Sequence, residues 1–347
     1  MPLFWADTPG RIMADNRRII LARRPSGAPV PADFALDSIP RPTVNAGQML
    51  VRNRVFAIDA AIRGFLDDRP SYLPPVALGE TVRGMAMGEV VKSNIPGFAP
   101  GDIVRALAGW EDYSLLGPDA LGLEKCAIAD RAHISLHMGT LGPSGLTAYV
   151  GLFAIGAIKR GDTVAISAAA GAVGNVAGQI ARLSGCRTIA ITGSPEKVAL
   201  CRELGFDAVI DHAAPGDLDA KLAQAAPSGI DVYFDNVGGQ ILDAVLLHLA
   251  ENARVVICGM IANYNHADEQ YPIRNLWQLL VKRATMRGFL TYDHPEFLEE
   301  AQARIGAWVA SGDLRPLENV SHGLEAAPQA LMRLMRGATT GKTVVCL

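Results

Sequence analysis

The chain has 347 residues, half of them hydrophobic and 19% charged, enough for two domains each with its own core. Its 32 basic and 35 acidic residues leave a net charge of −3, so electrostatics offers no reason to expect a nucleic acid or an anionic membrane as partner. The five cysteines, Cys126, Cys186, Cys201, Cys258 and Cys346, are odd in number and never in CxxC spacing, which argues against a disulfide framework or a structural zinc lobe and fits free thiols in a reducing cytoplasm.

In chain order, residues 1–16 carry no basic segment followed by an apolar stretch, and so no secretory signal; residues 1–12 read as a disordered extension or an upstream start ahead of Met13. From Arg18-Ile19-Ile20-Leu21 to about residue 137, short apolar runs (48–58, 82–92, 102–107, 110–115) alternate with Gly and Pro. That texture predicts an antiparallel, barrel-like β-rich domain. The longest apolar region, 164–181, is rich in Gly, Ala and Ser and reads as a buried strand, a turn and a packed helix. A membrane span needs about 20 strongly apolar residues.

Past residue 140 the pattern becomes strand, helix, strand. Strands are predicted at 163–167, 187–192, 208–211, 231–234, 254–258 and 285–289, with amphipathic helices at 173–184, 195–204, 218–226 and 240–249 between them. Ser194-Pro195 is an N-cap followed by proline at the first helical position, and Gly185 and Gly205 stand where helices end. This is the pattern of an α/β, doubly wound parallel sheet. A helix at 295–311 follows, then a helix at 324–336 and a strand at 343–346 that return the chain to the first domain. The expected division is 13–137 with 312–347, and 138–311.

The sharpest motif is Ala169-Ala170-Gly171-Ala172-Val173-Gly174, between an apolar strand and a helix. Small residues there let the backbone approach a pyrophosphate, and the helix N-terminus offers it N–H groups and a positive dipole end. A glycine hexapeptide alone is a weak signal; placed in a βαβ unit of roughly 30 residues it is a strong one. Ala169 stands where the usual pattern has its first glycine. The second strand ends Thr192-Gly193-Ser194 with no carboxylate to hold a ribose 2′-OH, and Lys197 follows, which favours a 2′-phosphate and hence NADPH. Asn236 follows the fourth strand and Cys258-Gly259-Met260 the fifth, at the strand ends where such sheets bind ligands.

Together with Ser71-Tyr72, 97–104, 109–113, 145–149, Glu196-Lys197, 204–208, 229–239, Tyr264-Asn265, Arg287-Gly288-Phe289 and Gly341-Lys342, these segments resemble the medium-chain dehydrogenase/reductase superfamily. The resemblance is to its zinc-independent leukotriene B4 12-hydroxydehydrogenase, prostaglandin reductase and alkenal double-bond reductase branch, and runs from about Arg18 to Cys346. It implies a GroES-like substrate domain beside a Rossmann NADPH domain, commonly in a homodimer, and reduction of an unsaturated aldehyde or ketone. It further implies that Ala170, Gly171, Ala172, Val173 and Gly174 hold the pyrophosphate, and that Gly193, Ser194, Lys197 and His212 meet the 2′-phosphate. Asn236, Cys258, Gly259, Met260, Ile261, Tyr264, Phe289, Leu290, Thr291 and Thr339 would line the rest of the coenzyme. Asp59, Arg63, Tyr72 and Tyr264 would face substrate, with Tyr264 as the catalytic donor.

Three positions depart from the branch: His212 and Ala61 stand where many members have tyrosine, and Thr339 where many have asparagine. The region that supplies zinc ligands in alcohol dehydrogenases reads Gly79-Glu80-Thr81-Val82-Arg83-Gly84, without histidine, so no metal is expected. His133 and His137, spaced i, i+4, lack an evident third ligand and read as surface or core histidines. Rival readings are a quinone or carbonyl reductase of the same fold and an NADPH-binding sensor without catalysis. A methyltransferase is disfavoured by the missing acidic residue at the second strand's end.

Overall fold

The computed structural model describes residues 15–128, 131–265 and 271–347, so the extension expected at 1–12 lies outside the described residues. The described residues divide into two compact units, one of those up to residue 138 with 320–338 and 343–347, and the other of those within 139–319 with 339–342.

The first unit starts with strands β1 (Asn16–Leu21) and β2 (Phe34–Ile39), an antiparallel pair. It continues with β3 (Met49–Ile58), the short helix α1 (Ala61–Phe65), β4 (Arg83–Ser93), β5 (Ile103–Gly109), β6 (Tyr113–Leu116) and β7 (Glu124–Lys125). The apolar runs read from the sequence become these strands because Val51, Phe56, Ile58, Val90 and Val104 all close onto one core around the fully buried Trp110.

The second unit opens on helix α2 (Pro143–Val150) and then alternates β8 (Thr163–Ser167), α3 (Ala172–Leu183), β9 (Arg187–Thr192), α4 (Pro195–Glu203), β10 (Ala208–Asp211), α5 (Leu218–Ala225), β11 (Ile230–Asp235), α6 (Gly239–Leu246), β12 (Leu249–Ile257), α7 (Ile261–Tyr264), α8 (Trp277–Lys282) and β13 (Thr285–Gly288). The strands are parallel, in the order β10-β9-β8-β11-β12-β13, the Rossmann arrangement. Alternation explains why β8 is buried throughout: Val164 and Ile166 enter the core on one face of the sheet, and Ala165 enters the core on the other.

After α9 (Leu298–Ser311), β14 (Glu318–His322), α10 (Ala327–Met335) and β15 (Lys342–Cys346) complete the first unit's sheet, ordered β14-β15-β3-β4-β5-β7 with β6 on β3. The chain leaves the second unit at residue 320 rather than at 312, because Leu314 is buried in that unit's core and Leu317 packs on it. The stretch His133–Ile155 has the length and mean hydropathy (1.2) of a membrane span. It is nevertheless mostly buried inside the protein, with non-helical backbone at His133 and a change of pitch over Gly151–Ile155, as befits a core segment.

Candidate active site

Every residue expected to touch the coenzyme, Thr339 apart, lies at or just beyond the carboxyl end of a strand in the parallel sheet, whose order reverses between β8 and β11. After β8 the chain turns through Ala168, Ala169 and Ala170 into α3. Gly171 is the N-cap in extended conformation (φ −80, ψ −177), and no side chain caps the helix, so its first N–H groups remain for a ligand. Gly174 makes the approach close, since a Cβ there would stand 2.3 Å from the carbonyl oxygen of Ala168. The residue in the left-handed region is Ala168 (φ 47), while Ala169 is fully buried; the strained position of the turn therefore lies one residue before the one the glycine pattern marks. Gly341 closes the turn by donating its N–H to the Ala170 carbonyl at 2.8 Å, and Thr339 lies buried just before it.

At the end of β9, Ser194 caps α4 by accepting from the Lys197 N–H at 3.3 Å, as its sequence position implied. Lys197 is half-buried, and burial holds its ammonium below the ordinary lysine value. His212, just past β10, lies against Gly193: a Cβ on Gly193 would sit 2.7 Å from the imidazole Nε2. Gly193, Ser194, Lys197 and His212 thus form one group, with no acidic side chain at the end of β9.

The ends of β8 and β11 are joined by a buried network the sequence reading did not assign. Asp235 is fully buried, and its Oδ1 accepts from Ser167 Oγ (2.9 Å), Tyr233 Oη (2.8 Å), Val237 N (2.9 Å) and Gly238 N (2.9 Å). Burial raises its carboxyl above the usual range, against those donors. Asn236 donates its side-chain amide to the Ser167 carbonyl and its main-chain N–H to Ser167 Oγ, both at 2.8 Å, so it joins two strands whatever else it binds. The available signal was a carboxylate following the apolar run Val232-Tyr233-Phe234 at the strand's end.

Beyond β12, Cys258 and Gly259 donate their N–H groups to the Asp235 carbonyl at 2.8 and 3.1 Å, and burial pushes the Cys258 thiol up to about 12, which leaves it protonated. Met260 and Ile261 lead into α7, where Tyr264 Oη accepts from the Met260 N–H at 3.3 Å. Burial raises the phenol above its ordinary value, so it is neutral and keeps its O–H for donation. After β13, Phe289 packs on the core, Leu290 is half-buried, and the Thr291 hydroxyl lies 2.8 Å from that of Thr147, a partner the sequence reading had not assigned.

The first unit holds three of the expected substrate residues, Asp59, Arg63 and Tyr72. Arg63 is only 2% exposed; its Nε and Nη2 donate to the Gly27 carbonyl (3.0 and 2.9 Å) and its Nη1 to Asp67 (2.7 Å). Its guanidinium therefore clamps α1 to the loop at Gly27, which corrects the expectation that it faces substrate. Arg24 also holds the end of α1, donating to the carbonyls of Leu66 and Val76. Asp59 is half-buried at the start of α1, and Tyr72 is exposed, its ring edge-on to Phe65 at 5.3 Å. Ala61 packs partly buried on the core. His133 has non-helical φ/ψ, so it and His137 do not share a helical face, and among the described residues no three His, Cys, Asp or Glu side chains gather in a way that could hold a metal.

Comparison with known proteins matches residues 17–125 to the N-terminal domain of oxidoreductase and 172–305 to the family described as zinc-binding dehydrogenase. The NADPH-dependent curcumin reductase of Escherichia coli (strain K12) is 39% identical over 95% of this chain and 96% of its own. The 2-alkenal reductase (NADP(+)-dependent) of Nicotiana tabacum is 36% identical over 95% and 97%. Among solved structures, CurA from Vibrio vulnificus in complex with NADPH superposes with a TM-score of 0.88 at 39% identity, covering 95% of this chain and 98% of that one.

Proposed function

Because the chain belongs to the medium-chain dehydrogenase/reductase superfamily, in the branch of the curcumin, 2-alkenal and prostaglandin reductases, we propose that it is an NADPH-dependent reductase of the carbon–carbon double bond of an α,β-unsaturated aldehyde or ketone, working without a metal. The observation that carries this reading is the turn at Ala168–Gly174, where a Cβ on Gly174 would fill the space against the Ala168 carbonyl and α3 presents uncapped N–H groups. Gly193, Ser194, Lys197 and His212 are the residues for the 2′-phosphate. Asn236, Cys258, Gly259, Met260, Ile261, Phe289, Leu290, Thr291 and Thr339 are those for the ribose and nicotinamide side.

NADPH, when bound, would supply hydride chemistry for the β-carbon of the substrate. Negative charge then develops on the substrate's carbonyl oxygen and needs a preorganised donor. Tyr264 fits this role, since its half-buried phenol is neutral and already oriented by the Met260 N–H. The α-carbon takes its proton from solvent. The reading without metal rests on the donor set: the Gly79–Gly84 stretch has Glu80 but no histidine or cysteine.

A homodimer fits the exposed apolar face of α8 and its approach (Leu276, Trp277, Leu280 and Val281), which precedes β13, the edge strand of the sheet, in the chain. Sedimentation at the mass of one chain at micromolar concentration overturns it. The five free thiols fit the cytoplasm, checked by fractionation of expressing cells.

The test is NADPH oxidation against a panel of enones, enals, quinones and simple carbonyls. Highest kcat/KM on the enones and enals is expected. Preference for quinones moves the chain to the rival reductase reading, and binding without oxidation of any acceptor leaves only a coenzyme sensor.

A further inference from the structure

We propose that His212 is a specificity-determining residue which takes up a proton from solvent as the 2′-phosphate of NADPH settles beside Gly193, so that the preference for phosphorylated coenzyme strengthens on acidification from mildly alkaline pH. The inference rests on the proposed use of NADPH.

Gly193 has no side chain, and the imidazole of His212 occupies the space one would need, its Nε2 2.7 Å from the ideal Cβ position. The His212 main-chain N–H donates to the Thr192 carbonyl at 2.9 Å, which ties the residue to the end of β9. The imidazole is therefore held at the strand end whose following loop carries Ser194 and Lys197, and it stays exposed to solvent, from which a proton can arrive.

The charges around it are few. From β10, Asp211 lies next in the chain, its Oδ1 accepting from the N–H groups of Ala213 and Ala214 (2.9 and 3.2 Å). From α5 comes Lys221, whose Nζ donates to the carbonyls of Asp211 and Ala214 (3.0 and 2.8 Å). From α4 come Lys197 and Glu196, the latter with its carboxylate turned to Ser194 and its own N–H. Desolvation lowers the His212 value below that of an ordinary imidazole; Asp211 raises it, and the ammoniums of Lys197 and Lys221 lower it. Without coenzyme these surroundings hold the ring below the ordinary imidazole value and so favour its neutral form.

A phosphate dianion reverses that balance, because two negative charges at hydrogen-bond range favour the imidazolium. The value in the complex is then raised above that in the free protein. By linkage, the extra affinity is fully present below the free value and is lost as pH rises through the bound one. The phosphate's own protonation near pH ~6 opposes the effect only at the acid end. NAD+, which has no 2′-phosphate, cannot drive the uptake.

Calorimetric titration of NADP+ into the whole protein, in buffers of different ionisation enthalpy at mildly alkaline pH, reads the proton count directly and needs no turnover. Net uptake is expected for the native chain, little or none for His212→Gln and for NAD+, and the native Kd for NADP+ should weaken by about threefold to tenfold per pH unit through the window. NMR of the imidazole Cε1–H, assigned by its absence in His212→Gln, should show the His212 midpoint rising on NADP+ binding. Tight NADP+ binding without uptake, equal uptake in His212→Gln, or an unmoved His212 midpoint overturns the proposal alone. Failure of NADP+ to bind at all overturns the NADPH reading, and this proposal with it.

Discussion

The carboxyl end of the parallel sheet and the loop around α1 are both expected, from sequence, to meet ligands, and they are built in opposite ways. At the sheet end the groups expected to meet the coenzyme are largely main chain: the uncapped start of α3, the turn through Ala168, and the loop after β11 held by Asp235. Around α1 the conspicuous side chain, Arg63, faces inward and holds its own loop. Parallel strands place their loop-bearing ends together whatever residues follow them, so topology makes the first site. The second depends on where each side chain turns, and an arginine that can reach a nearby carbonyl and carboxylate is satisfied before any ligand arrives.

That contrast can be broken experimentally. The largest effect is expected for Asp235→Ala, which strands the hydroxyls of Ser167 and Tyr233 and the N–H groups of Val237 and Gly238. Each buried donor left alone is costly, so a loss of roughly 3–5 kcal/mol in chemical denaturation should accompany weaker NADPH binding by fluorescence titration. Asp235→Asn should recover part of both; native-like NADPH affinity in Asp235→Ala would mean that the loop does not depend on this carboxylate.

Arg63→Ala comes next, at about 3 kcal/mol of stability, because it leaves Asp67 and the Gly27 carbonyl without their partner. Its NADPH affinity should be native. A raised KM for enone with an unchanged melting temperature would return Arg63 to the substrate site and erase the contrast. The smallest effect sharpens the coenzyme end: Tyr264→Phe should lower kcat on enones by about tenfold, roughly 1.4 kcal/mol of barrier, with little change in NADPH Kd. An unaltered kcat would restrict Tyr264 to packing.

Much of this was legible beforehand. Three of the predicted strands match β8, β9 and β10 residue for residue, because buried parallel strands are short apolar runs bounded by Gly, Pro and Ser. The helix starts at Ser194-Pro195 and the helix ends at Gly185 and Gly205 were equally plain, the latter two adopting positive φ. The Asp235 network was hidden because its donors come from residues far apart in sequence, Ser167 and 233–238. The part played by Gly341, a main-chain bond to Ala170 from the far end of the chain, carries no local signature at all.

The sequence by itself determined the period of each element, the small residues of the glycine turn and the missing acid after β9, since these are properties of adjacent residues and act through local backbone sterics. Only the tertiary structure decided that Arg63 is a clamp, that His212 lies on Gly193 and that Asp235 joins β8 to β11. Those depend on which distant groups fall within hydrogen-bond reach, a distance that chain spacing does not encode.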